Sequence, residues 1–171
     1  MSQNKQARWL WIAGLMLGLL PTALHAQSLR DRLLGTWELV SWNYLTSGVE
    51  EPGPLGKDVT GYIMYTTDGH MCASAMIPDR KKFGTADFRA ASDEEKARAF
   101  ESFFGYCGKF EVNESDVTVT HLVEAGSVPN WTGTRQKRFV KISGEAMTLT
   151  TPLQTIGGRE LVGVIAWKRA R

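Results

Sequence analysis

The chain has 171 residues, 43% hydrophobic and 10% aromatic, which is one domain's worth of sequence with enough apolar material for a packed core. Its 20 basic and 18 acidic residues nearly cancel, and no stripe of Lys and Arg interleaved with aromatics runs through it, so nucleic acid is not an expected partner. Only two cysteines and three histidines are present, without C-x-x-C or H-E-x-x-H spacing, and no dinucleotide or Walker glycine motif occurs; no metal and no cofactor is expected.

Residues 1–26 read as a secretory signal peptide. Lys5 and Arg8 make a positive start, Trp9 to Leu20 form an apolar stretch, Pro21 breaks it, and Leu24-His25-Ala26 precedes the polar Gln27. The stretch falls short of the ~17 to 25 apolar residues of a membrane-spanning helix, and no later segment is long enough to span as one. Cleavage removes Lys5 and Arg8 and no acidic residue, which leaves 18 residues of each sign. The mature unit is then a single domain, residues 27–171, with an expected periplasmic or secreted location.

That domain reads as all-β with one helical insertion. Trp37 to Tyr44 is an aromatic-rich first strand, followed by a loop through Pro52, Gly53, Pro54 and Gly56. Gly61 to Thr67 and His70 to Ile77 flank Asp68-Gly69, a dipeptide that predicts a two-residue hairpin turn with positive φ at both positions. Ser92 and Glu95 make a capping-box pattern, and Ala97, Phe100 and Phe104 recur at helical spacing. The pattern predicts a helix from Asp93 to Phe104, its phenylalanines in the core, packed as a lid or an end-plug. Strands resume at Tyr106 to Val112, Val117 to Val123, Thr134 to Ile142, Met147 to Thr151 and Leu161 to Arg169. The total of about eight suits a closed antiparallel barrel, whose interior is either filled by side chains or holds one small ligand.

Three residues are candidates for closing that barrel. Gly35 and Trp37 open the first strand and Arg169 ends the last, so an arginine lying across a buried indole would tie the two ends of the sheet together. Cys72 and Cys107 fall on strands that become neighbours around the helical insertion. Pairing Ile77 with Phe103 sets Cys72 opposite Gly108, one step from Cys107, within reach of a cross-strand disulfide.

Candidate ligand-binding residues follow from the two-residue period. His121 shares a face with Val117, Val119 and Val123, and Gln136 and Arg138 share a face of the next strand. His121 has either a core role or a proton-transfer role. Arg138 would clamp a carboxylate, pair with Glu38 or stack on Trp37. Tyr62 and Tyr106 either offer phenol hydroxyls to a ligand or simply pack in the barrel, and Trp131, beside Asn130 in a loop, either caps the pocket mouth or staples the loop to the barrel end.

The run Leu34-Gly35-Thr36-Trp37-Glu38-Leu39-Val40-Ser41, then Gly61-Tyr62-Ile63-Met64-Tyr65 with Asp68-Gly69-His70-Met71, then Pro129-Asn130-Trp131-Thr132-Gly133-Thr134, resembles the lipocalin-like domain family. Thr120-His121, Gln136 with Arg138 and Leu149-Thr150 extend the likeness over nearly all of the mature chain. The resemblance implies a calycin-type barrel and leaves the chemistry open. Three readings follow. The first is an exported protein that binds a small apolar or amphipathic ligand. The second is a barrel isomerase or cyclase acting on a lipid-like or polyketide-like substrate, with His121 as acid and base and Arg138 or Tyr106 polarising an oxygen. The third is an inhibitor-like interaction module with a filled barrel.

Overall fold

The computed structural model describes residues 27–171. The expected signal peptide therefore lies outside the described residues. Ten strands follow one another in chain order: β1 (Gly35–Thr46), β2 (Val49–Pro52), β3 (Thr60–Tyr65), β4 (His70–Met76), β5 (Phe103–Asn113), β6 (Thr118–Gly126), β7 (Arg135–Ser143), β8 (Ala146–Thr150), β9 (Gln154–Ile156) and β10 (Arg159–Arg169). Eight of them, all but β2 and β9, form a closed antiparallel barrel, because β1 also pairs with β10 from Trp37 opposite Arg169 to Leu45 opposite Val162. Short β2 and β9 extend β1 and β10 at one rim. Among the described residues no helix is long and apolar enough to cross a membrane.

Alternation along each strand decides what faces inward. In β3, Gly61, Ile63 and Tyr65 are buried while Tyr62 and Met64 are exposed; in β6, Val119, His121 and Val123 are buried. Val117 does not join that face. It sits in the preceding turn with φ 52° and is exposed, a conformation that suits a β-branched side chain poorly.

One end of the barrel is closed by a short helix, α1 (Leu29–Leu33), which the sequence pattern did not predict. Ser28 caps it by accepting from the Asp31 N–H, and the Glu114 carboxylate accepts from the Leu29 N–H at 2.8 Å. Leu29 and Leu33, one helical turn apart, are buried over the barrel end. Beneath them lies Trp37, fully buried, whose Nε1 donates to the Leu33 carbonyl at 2.8 Å. Arg169 lies 4.0 Å from the indole ring and donates to the carbonyls of Leu34 (2.7 Å) and Arg32 (2.8 Å). Gly35, at φ 107°, passes under this guanidinium, and a β-carbon there would stand 3.0 Å from Arg169 Nη1.

Three local expectations are corrected. The hairpin at Asp68-Gly69 has positive φ only at Gly69 (91°); Thr66 accepts from the Gly69 N–H and pairs with His70, which makes a three-residue loop instead of a two-residue turn. The helix, α2 (Asp93–Glu101), has its capping box at Ser92 and Glu95 but stops early, since Phe103 and Phe104 belong to β5. It buries no residue, and Phe100 is exposed, so α2 is a polar appendage packed beside β5 and no end-plug. The β4–β5 register pairs Met76 with Phe103, one residue tighter than expected. Cys72 then stands directly opposite Cys107, and the two form a disulfide with 4.1 Å between Cα atoms.

Candidate functional site

The barrel interior contains a cavity of about 90 Å³, towards the end opposite α1. Its walls are mainly apolar, with Leu39, Ile63, Leu149 and Ile165 among them, and no carboxylate lines it. Phe104, at the start of β5, meets Trp42 edge-on with ring centroids 5.1 Å apart. Trp131 projects from a single 3₁₀ turn (Pro129–Trp131) between β6 and β7, with ring centroids 5.1 Å from Phe104 and 5.6 Å from Tyr106. An aromatic cluster thus lines one side of the cavity.

A polar corner interrupts this lining. His121, fully buried on β6, has Tyr65 Oη 2.8 Å from Nε2 and Tyr106 Oη 2.7 Å from Nδ1. Both ring nitrogens are therefore engaged by phenols. Burial, reinforced by the charge of Arg138, holds the imidazole well below the usual histidine range, so it is neutral at pH 7. Burial likewise raises both phenols, Tyr65 the more strongly, while the nearby Arg138 charge works against the rise.

Arg138, on β7, is 6% exposed and lines the cavity. Its guanidinium donates through Nη1 to the Lys137 carbonyl at 2.8 Å and lies against the Tyr106 hydroxyl, and among the described residues it makes no ion pair. The two structural alternatives for it do not occur: Glu38 pairs with Lys168 at 2.9 Å, and Trp37 is covered by Arg169.

A family model described as a lipocalin-like domain matches residues 34–170. The chain belongs to the lipocalin-like domain family. One curated relative, the 4'-hydroxy-3'-methoxypropiophenone carrier protein ppsC of Aspergillus oryzae, is 36% identical over 107 residues, covering 58% of this chain and 96% of that protein. No solved structure matches the chain.

Within this lipocalin-like barrel the sequence-derived candidates divide. His121, Arg138, Tyr106 and Trp131 all line the cavity. Gln136 has inward parity and lies opposite His121, but it sits outside the lining, its Nε2 donating to Thr134 Oγ1 at 2.9 Å. Tyr62 is a correction: it is 48% exposed on the outer face of β3, because the inward positions of that strand are Ile63 and Tyr65. Tyr65 is the residue that reading missed, although its spacing from Ile63 was the available signal. Trp42, Phe104 and Trp167 also line the cavity without having been singled out. Phe104 was hidden by its accidental helical spacing from Phe100.

Proposed function

We propose that this chain is an exported carrier that binds a small, largely apolar ligand inside the barrel. The observation that carries the reading is the cavity itself: apolar and aromatic walls with a few converging polar groups are the usual composition of a small-molecule site. An apolar cavity of about 150 Å³ accepts benzene, so at about 90 Å³ this one encloses no more than a single ring and excludes a long acyl chain. The relative's name gives it a carrier role and a single-ring aryl ketone as cargo, which agrees with the aromatic and mainly apolar lining. Carriage is favoured over proton transfer because both nitrogens of His121 are occupied by tyrosines. The disulfide between Cys72 and Cys107 supports export, since such bonds persist in oxidising compartments.

Native mass spectrometry of the protein purified from its own source tests both parts. The expected polypeptide mass begins at Gln27, with a noncovalent adduct of a small molecule. A polypeptide still carrying residues 1–26 would overturn export. Absence of an adduct, together with no binding of single-ring aromatic compounds, would overturn carriage.

A further inference from the structure

The corner around His121 says which part of the ligand enters first, and the inference rests on the carrier reading above. A neutral imidazole has one donor and one acceptor nitrogen, so the two tyrosines cannot play the same role. If His121 donated from Nε2 to Tyr65, the Tyr65 hydroxyl hydrogen would be left without an acceptor: Tyr65 is 2% exposed, lies outside the cavity lining, and has its only hydrogen-bonding contact among the described residues with His121. The opposite polarity leaves no such orphan. Tyr65 donates to Nε2, Nδ1 donates to Tyr106 Oη, and the Tyr106 hydrogen remains free at a residue that lines the cavity.

Arg138 stands beside Tyr106, buried, charged and without an acid among the described residues. A buried guanidinium is costly unless an anion compensates it. Trp167, another lining residue, has a buried Nε1–H with no partner among the described residues. The lining thus presents unspent donors and one unbalanced positive charge, and no carboxylate to receive them.

We propose that the cavity recognises a single-ring ligand by an acidic oxygen, taken up in ionised form against Arg138 and the free hydroxyl hydrogen of Tyr106. The Tyr65–His121 pair positions that hydroxyl. Its two members need not touch the ligand.

The probes are 4-hydroxyacetophenone, whose phenol is acidified by the para carbonyl, and its O-methyl ether 4-methoxyacetophenone, which has the same ring and no acidic proton. Calorimetry and ultraviolet absorption are compared for the whole protein and for Arg138→Met. The wild type is expected to bind the phenol at least about tenfold more tightly than the ether, a preference of ~1.4 kcal/mol. The bound phenol should show the red-shifted phenolate band at a pH where the free compound is neutral. Arg138→Met should abolish the preference and the band while keeping affinity for the ether. In the absence of ligand it should melt no lower than the wild type, because an uncompensated buried charge has been replaced by an apolar side chain. Equal binding of the two compounds with a neutral spectrum would overturn the acidic-oxygen inference and leave the carrier reading standing. Binding of neither would overturn both, and a clear loss of ligand-free stability in Arg138→Met would show that the arginine is a structural partner.

Discussion

At the scale of single residues, the site is organised by which hydrogen each group holds. His121 is kept neutral in the fold and is free to protonate when the chain unfolds, so the unfolded state binds more protons at mildly acid pH. The folded-state pKa is lowered; the contribution to stability is therefore complete above the unfolded value of about 6.5 and is lost as pH falls below it. Thermal or urea unfolding between about pH 6.5 and 5, above the range where carboxylates titrate, should show stability falling by up to ~1.4 kcal/mol per pH unit. His121→Gln should flatten that slope, and a flat wild-type profile would contradict the buried neutral imidazole. Much of this corner was legible, since alternation with Val119 and Val123 turned His121 inward and the same parity turned Arg138. Of its two phenol partners, Tyr106 was singled out and Tyr65 was not. Tyr65 and Tyr62 are equally plausible phenols by composition, and only the burial of Ile63 fixes which of them faces the interior.

At the scale of elements, the disulfide fastens two strands whose chain connection, residues 77–102, buries a single residue, Ala91. Between Met76 and Phe103 the chain leaves the barrel for α2, whose residues are all at least partly exposed, so the local sequence does little to hold β4 against β5. Cys72 and Cys107 lie on the outer side of this pair, next to Ala73 and Tyr106, which face each other across the same strands and line the cavity. The cysteines are 35 positions apart, so replacing both by serine should cost about 4 kcal/mol in reversible urea unfolding. An unchanged midpoint would show that strand pairing alone sets the register. Strand positions were largely legible from alternation and turn residues. The exceptions have local causes: β2 and β9 span four and three residues, too short to establish a period, and α1 spans five, too short for a helical one. The end of α2 was misplaced because Phe104 keeps helical spacing from Phe100 while belonging to a strand.

At the scale of the whole molecule, the barrel is held shut where its first and last strands meet. Trp37 is fully buried there, bonded to α1 through Leu33 and covered by Arg169 from β10, so one indole ties two other parts of the chain to β1. Trp37→Ala should destabilise the domain by roughly 3 to 5 kcal/mol, the range for large aromatic deletions in cores. Circular dichroism melts read the loss; a cost below about 1 kcal/mol would mean that closure depends on the backbone pairing alone. The arrangement also sets an order of events during synthesis. Arg169 and Leu34, which it bonds, are 135 positions apart, and a chain emerging from its amino end makes β1 long before β10. Until β10 arrives, β1 has an unpaired edge and Trp37 lacks its cover. The closed barrel therefore cannot form until the last strand has been made, and the chain passes nearly all of its translation without a sealed interior.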